Sequence, residues 1–364
     1  MGFKLYFAMK YDSIKLDGII YNTYNIDSFQ IPSEPTASWR NAICVFMKEW
    51  FDSTEFITSN TSGSTGTPKV IQLSKLAMVN SARMTNCFFD LTPDKTALLC
   101  LPASYIAGKM MLVRAIVGGF DLKTVEPSAN PFANITSAID FVAITPYQLH
   151  HSAECLSQKL VKKIIVGGGP VTSQLEEIAE SIPSALYETY GMTETCSHIA
   201  LRRFNGADKS SFFSILDGIA IEEDERECLI ISAPTLCETK IQTNDIVKLV
   251  DTNSFYWLGR FDSTINSGGV KIHPEQVERK LQAAILSNHF VSSIPDPQLG
   301  QKVVLVIESE HFNSQEEELL EKVIKDLLDK YEQPKQIFYL SAFIYSQSNK
   351  VLRSETLEKA MLQG

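Results

Sequence analysis

The chain has 364 residues, 44% of them hydrophobic and 21% charged, enough for two or three folding units with ample buried core. The balance is that of an ordinary globular protein. With 33 basic against 43 acidic residues the net charge is −10, which argues against a nucleic-acid partner, and no local basic patch offsets it.

No apolar run approaches the length needed to span a bilayer. Residues 1–10 carry an apolar stretch too short for a signal peptide, broken by Lys10 and then Asp12. The seven cysteines (Cys44, Cys87, Cys100, Cys155, Cys196, Cys228 and Cys237) form no CxxC pair and are odd in number. That pattern suits free buried thiols in a reducing compartment. The expectation is a cytoplasmic protein without membrane insertion.

Residues 1–50 say least. Ile31-Pro32-Ser33-Glu34-Pro35 is a turn-rich connection. From 38 to 51 Trp39, Ala42, Val45, Phe46 and Trp50 recur at helical spacing and read as core. Strands are predicted at 55–58 and 70–73, on either side of Thr61-Ser62-Gly63-Ser64-Thr65-Gly66-Thr67-Pro68-Lys69. Hydroxyls, glycines and a lysine in one turn can surround an anion: glycine lets backbone N–H groups approach closely, and the side chains add donors. Phosphate is the natural guest. The run is not a Walker A loop, which needs Gly-Lys-Ser/Thr, because Pro68 precedes the lysine.

Ser74 can cap a helix to about Phe89, with Leu76, Val79, Ala82 and Phe88 near one face. Strands and helices then alternate: strand 97–101, helix 108–117, strand 141–144, helix 146–155, strand 163–166. The last strand ends in Gly167-Gly168-Gly169-Pro170, and Ser173-x-x-Glu176 reads as a capping box. Such alternation implies a largely parallel sheet covered on both faces, with ligands at the carboxyl ends of its strands.

The strand at 185–190 runs into Gly191-Met192-Thr193-Glu194-Thr195. Short strands separated by turns over 212–258 suggest an antiparallel β subdomain, with Asp245 on a turn between two of them. Composition shifts at Gly259-Arg260-Phe261-Asp262. A Gly268-Gly269 turn, a helix from 274 to about 285, a buried strand at 303–307 and a helix over 315–331 follow. In that last helix Leu319, Leu320, Val323, Ile324, Leu327 and Leu328 share a face.

From about residue 55 onward the chain resembles the adenylate-forming acyl-CoA ligase family. The hydroxyl loop, Tyr190-Gly191-Met192-Thr193-Glu194, Asp245, Gly259-Arg260-Phe261-Asp262 with Ser267-Gly268-Gly269, and a degenerate Ser346-x-x-Asn349-Lys350-x-x-Arg353 occur in the family's order. The resemblance implies an α/β fold. A large N-terminal domain (1–261) would have mainly parallel sheets plus a β subdomain, and a small mobile α+β domain (262–364) would follow. It also implies an AMP-forming acid–thiol ligase that uses ATP, Mg²⁺ and CoA.

Roles follow by matching motifs. ATP would be held by Thr61, Ser62, Gly63, Ser64, Thr65, Gly66, Thr67 and Lys69, with Ser64, Thr65, Thr67 and Lys69 on the β- and γ-phosphates. Thr193 would bond the α-phosphate, and Glu194 would hold Mg²⁺, a hard cation that takes carboxylate oxygen. Tyr190 would stack on adenine unless it merely packs, with Gly191 beside it and Gly167, Gly168 and Gly169 bordering the ring. Asp245 and Arg260 would take the ribose. Lys350 would bridge the carboxylate and α-phosphate in adenylation, although Asn349 stands where the family has glycine. Asp262 would be the hinge. Ser267, Gly268, Gly269 and Lys271 would line the CoA tunnel.

The acid is the least specified part. Overall brevity, Asn266-Ser267-Gly268-Gly269 and Tyr105-Ile106-Ala107-Gly108-Lys109-Met110-Met111 resemble short members that act on 2-succinylbenzoate in menaquinone synthesis. That substrate has a second carboxylate that needs a donor or cation, and Ser104, Tyr105, Lys109 and Arg114 are the candidates. Lys109 or Arg114 could instead sit on the exposed side of its helix. Another aromatic or short-chain acid, or adenylation followed by loading of a carrier protein, remain alternatives.

Overall fold

The computed structural model describes residues 11–30, 38–60, 70–158, 161–282, 284–345 and 351–363. Its first elements are β1 (Ser13–Leu16), β2 (Ile19–Asn22), α1 (Trp39–Phe51), β3 (Phe56–Asn60), β4 (Val70–Ser74) and α2 (Lys75–Phe89). Next come β5 (Thr96–Leu99), α3 (Ile106–Gly118), β6 (Asp121–Thr124), β7 (Ile139–Ile144), α4 (Pro146–Gln158), β8 (Val161–Val166), α5 (Ser173–Glu180) and β9 (Ala185–Gly191). Then follow β10 (His198–Arg203), β11 (Phe213–Ile215), β12 (Ala220–Glu223), β13 (Cys228–Ser232), β14 (Ile241–Asp251) and β15 (Ser254–Arg260).

These strands, apart from β3 and β4, form one sheet in the order β12-β13-β14-β15-β11-β10-β9-β8-β7-β5-β6-β1-β2. From β1 through β6, β5, β7 and β8 to β9 every pairing is parallel. From β9 to β12 every pairing is antiparallel. The parallel centre follows from residues apolar on both faces. Leu98, Val142, Ile144 and Ile164 pack on one side, while Ala97, Leu99, Phe141 and Ala143 pack on the other, as the two-residue period of a strand requires. The antiparallel strands expected over 212–258 are present, and they extend this sheet through β10 and β11.

A second sheet begins after Arg260. It contains β16 (Ile265–Ser267), β17 (Val270–Ile272), β18 (His289–Asp296), β19 (Gly300–Glu308) and β20 (Gln336–Leu340), interleaved with α6 (Pro274–Leu281), α7 (Ser314–Leu327) and α8 (Arg353–Gln363). Val277, Leu281, Leu320 and Ile324 of α6 and α7 cover one face, and Leu357 and Ala360 of α8 cover the other.

Several sequence expectations are corrected. Asp245 lies inside β14 opposite Arg260, not on a turn; its backbone N–H bonds to Thr243 Oγ1 beside a register shift at 246–247, so Thr-Asn-Asp is strand. Thr172, not Ser173, caps α5 by accepting from the Leu175 N–H. Glu176 is drawn away from capping by Arg202 and Lys209. On α2, Leu76 and Phe88 are exposed while Thr85, Asn86 and Phe89 are buried, because the packed stripe is set by contact with α3. Leu319 and Leu327 of α7 are exposed too. Helix α6 ends at Leu281, short of the expected 285. The opening segment, uninformative in sequence, supplies the β1–β2 hairpin on the sheet edge.

Candidate active site

Two central expectations, the hydroxyl loop 61–69 and Lys350, lie outside the described residues. The flanks of the first are described: β3 and β4 pair antiparallel down to Asn60 opposite Val70, so the loop joins two adjacent strand ends. Strand β4 also packs against the 3₁₀ turn Thr193–Thr195. The hairpin that carries the loop therefore meets the turn that carries Thr193 and Glu194.

That turn is shaped by what surrounds it. A Cβ at Gly191 would stand 2.4 Å from the Ser197 carbonyl oxygen, so only glycine permits the return of the chain beside β9. Thr195 Oγ1 accepts from the Met192 N–H at 3.1 Å and donates to the Ser197 carbonyl oxygen at 2.7 Å. Glu194 is exposed at the tip and Thr193 is half-buried. Among the described residues no group of three His, Cys, Asp or Glu could cage a metal ion. A single exposed carboxylate nevertheless suits Mg²⁺, which commonly takes one or two protein carboxylates and completes its octahedron with phosphate and water.

Tyr190, Asp245, Arg260 and Asp262 come together. The Tyr190 hydroxyl donates to Asp245 Oδ2 at 2.7 Å, and its ring stands edge-on to Phe255 and tilted against Phe213. Burial, then the Asp245 charge, push the phenol well above its ordinary range, so it remains a donor at any working pH. Arg260 Nη1 lies 3.9 Å from Asp245 Oδ1, and Nη2 lies 3.1 Å from Asp262 Oδ2. Asn244 Nδ2 also donates to Asp262, at 3.2 Å. Tyr190 is thus both packed and polar. Asp245, buried but with one oxygen held only by a distant guanidinium, retains accepting capacity of the kind a ribose diol needs.

Gly167–Gly169 follow β8 at its carboxyl end, where ligands of such sheets lie. A Cβ built on Gly168 meets nothing within 4 Å, so this side of the loop is open. The loop is anchored at Val171, whose N–H donates to Glu188 Oε1 at 3.0 Å. Glu188 is in turn bound by Arg202 Nε at 2.8 Å, and Arg202 reaches Glu176 as well. This buried acid–arginine–acid bridge was missed in the sequence, where two acids and an arginine on separate elements carry no spacing signal.

The four acyl-site candidates separate. Ser104 and Tyr105 are exposed at the start of α3. Lys109 and Arg114, for which an exposed position was conceivable, are both buried. Lys109 Nζ donates to the Thr58 carbonyl at 2.8 Å, lies over the Phe46 ring and stands 3.9 Å from Glu49. Arg114 has no acidic partner among the described residues: Nη2 donates to Ser197 Oγ at 2.6 Å, Nη1 approaches Met111 Sδ at 3.5 Å, and Nε has no partner. Burial pushes its pKa down to about 9, so it stays charged at neutral pH.

Ser267 is buried on the β16–β17 hairpin, and Lys271 is exposed. Gly268 and Gly269 have φ of +59° and +82°, the two positive values of a tight hairpin turn that glycine favours. Helix α6 docks on the first sheet through Gln276 Nε2, which donates to the Leu258 carbonyl at 2.7 Å, and Gln282 just after it accepts at Oε1 from the Ser173 N–H of α5 at 3.0 Å. Asp262, in the 3₁₀ turn Phe261–Ser263, lies between the sheets.

Residues 57–221 match the model of the AMP-binding enzyme family. A solved AMP-forming acyl-CoA synthetase/AMP-acid ligase II-like protein from Dyadobacter fermentans is 36% identical, with a TM-score of 0.61 over 93% of this chain and 99% of that one. A 2-succinylbenzoate–CoA ligase of Bacillus cereus is 26% identical over 330 residues, 81% of this chain and 68% of the relative. The o-succinylbenzoate coenzyme A synthetase of Bacillus subtilis, solved with ATP and a magnesium ion, is 22% identical with a TM-score of 0.67, over 82% of this chain and 69% of that one, and shares the fold. With this fold, these motifs and a relative of that identity along nearly its whole length, the chain belongs to the AMP-binding family of AMP-forming acyl-CoA ligases.

Proposed function

We propose that the protein is a 2-succinylbenzoate–CoA ligase that works through an acyl-adenylate in two half-reactions. In the first, the acid carboxylate attacks the α-phosphorus of ATP and pyrophosphate leaves. In the second, the CoA thiol takes the acyl group and AMP leaves. Charge that grows on phosphate oxygens must be met by fixed donors. Ser64, Thr65, Thr67 and Lys69 serve the β- and γ-phosphates, Thr193 the α-phosphate, and Lys350 the reacting carboxylate. Glu194 would hold Mg²⁺, which would supply charge neutralisation at the phosphates.

Asp245 and Arg260 take the ribose hydroxyls, with the Tyr190 hydroxyl fixing the Asp245 carboxylate. Gly167–Gly169 border the adenine. Residues 1–261 and 262–364 act as two bodies, turning about Asp262 so that Lys350 serves adenylation and the Ser267–Lys271 hairpin serves CoA. Hinges of this kind are a few residues at element ends.

The observation that carries the choice of acid is Arg114. A buried guanidinium without an acid partner is costly unless an anion completes it. Arg114 is tied to Ser197, two residues beyond the Thr193–Thr195 turn, which supports a role for the cation in the same site, set back from the proposed α-phosphate position. A carboxylate distant from the reacting one, as in 2-succinylbenzoate, suits it. Lys109, engaged by Thr58 and Glu49, is the weaker choice.

The reading is tested by ATP–pyrophosphate exchange driven by 2-succinylbenzoate, benzoate or a short fatty acid. Exchange led by 2-succinylbenzoate supports it. Exchange led by a monocarboxylate removes the substrate assignment while keeping the chemistry.

A further inference from the structure

Behind Arg114 lies a line of polar groups in hydrogen-bond contact: Ser197, His198 and Thr85. Thr85 on α2 has one hydroxyl hydrogen, and it donates to the Ser81 carbonyl at 3.2 Å, the residue four positions back on the same helix. With the hydrogen placed there, Oγ1 is left as an acceptor. In that arrangement the contact of Thr85 Oγ1 with His198 Nε2 at 3.3 Å is donated by Nε2–H. A neutral imidazole carries one N–H, so His198 Nδ1 is an acceptor, and it faces Ser197 Oγ at 3.3 Å. The Ser197 hydrogen goes to Nδ1, which leaves the Oγ lone pair to accept Arg114 Nη2–H at 2.6 Å. Arg114 can only donate, so both ends of the chain agree.

We propose that Thr85 and His198 are positioning residues for the acid substrate: acting through Ser197, they hold the Arg114 guanidinium with its Nε–H left for the second carboxylate. This rests on the reading of Arg114 given above. Neutrality of His198 is built in: burial, then the Arg114 charge, hold it well below the usual imidazole range. Were Nδ1 protonated instead, Ser197 Oγ would accept from both Nδ1–H and Arg114 Nη2–H, and its own hydrogen would turn elsewhere. His198 would then no longer fix the Ser197 hydrogen, and the serine oxygen would share its lone pairs between two donors. A histidine buried merely as filler needs no such order of donors. Here all four groups, drawn from α2, α3, β10 and the residue before β10, agree on one arrangement.

The test uses the full chain, with Thr85→Val removing the acceptor at constant shape and Thr85→Ser restoring it. Nitrogen-15 NMR of labelled histidine in the wild type is expected to show His198 as the neutral Nε2–H tautomer, a readout that needs no substrate. Thr85→Val is expected to raise KM for 2-succinylbenzoate about tenfold or more, in line with the cost of a small misplacement, with KM for ATP unchanged and Thr85→Ser close to wild type. An Nδ1–H tautomer or an imidazolium overturns the relay. So does a Thr85→Val enzyme with unchanged KM for the acid, or with KM for acid and ATP raised alike, which marks a general packing role. A wild type that shows the Nε2–H tautomer yet makes thioester only from monocarboxylic acids overturns the assigned guest while leaving the relay geometry standing, so the two failures are told apart.

Discussion

Arg114 sets stability against function, and Arg114→Met should separate them. The guanidinium is 2% exposed, has no acidic partner among the described residues and leaves Nε unbonded. A pKa held down to about 9 corresponds to a penalty on the order of 5 kcal/mol for keeping it charged. Local hydrogen bonds and relaxation absorb part of this. Replacing a buried charge by a well-packed apolar side chain commonly stabilises by about 1–4 kcal/mol. Methionine leaves the Ser197 lone pair without its donor, which costs about 1 kcal/mol. The net expectation is a stabilisation of about 0–3 kcal/mol, read as a rise in Tm of up to roughly 6 °C.

The sign with pH can be checked. The folded-state pKa is depressed, so the penalty is fully present below about 9 and fades as pH rises above that value. The advantage of Arg114→Met should accordingly be constant near neutrality and shrink in alkaline buffer. Activity should move the other way, with KM for 2-succinylbenzoate raised at least tenfold, as expected from losing about 1.4 kcal/mol or more of a charged contact. Calorimetry and steady-state kinetics on the same preparation decide it. A less stable Arg114→Met enzyme with unchanged KM for the acid would show that Arg114 is a structural residue, and would refute the argument.

Three further predictions concern the nucleotide and the lysine. Tyr190→Phe removes the 2.7 Å bond to Asp245; it should cost about 1–3 kcal/mol and raise KM for ATP several-fold, with an unchanged KM counting against the ribose assignment. Glu188→Gln weakens the Arg202 bridge and the tether on Val171, so KM for ATP should rise while KM for the acid stays, a split readable by varying each substrate in turn. Lys350→Ala should abolish ATP–pyrophosphate exchange yet still transfer the acyl group from a supplied acyl-adenylate to CoA; equal loss of both steps contradicts the division of labour.

The parallel centre of the fold was legible because β5, β7 and β8 are apolar on both faces and are separated by turn residues. Tyr190, Glu194 and Asp245 were singled out in the sequence by motif order, and the fold brings Tyr190 onto Asp245; Asp245 was assigned to a turn because Thr-Asn-Asp is turn-forming locally, and pairing with β15 overrides that preference. The helix faces were read less well. Leu76, Phe88, Leu319 and Leu327 are apolar yet exposed, since exposure depends on which neighbour covers a helix, and single apolar surface residues are common. The polar networks were invisible. Thr85 and His198 are 113 positions apart and Arg114 and Ser197 are 83 apart, so only the folded chain reveals that they meet. The β1–β2 hairpin was missed because its strands have only four residues each, and β2, unlike the alternating β1, shows little alternation.

The account is tested most directly by following CoA-thioester formation from ATP, Mg²⁺ and CoA with 2-succinylbenzoate, beside benzoate and a short fatty acid. It predicts succinylbenzoyl-CoA, AMP and pyrophosphate in equal amounts, with kcat/KM for 2-succinylbenzoate well above that for either monocarboxylic acid. Thioester formed only from the monocarboxylic acids would contradict it.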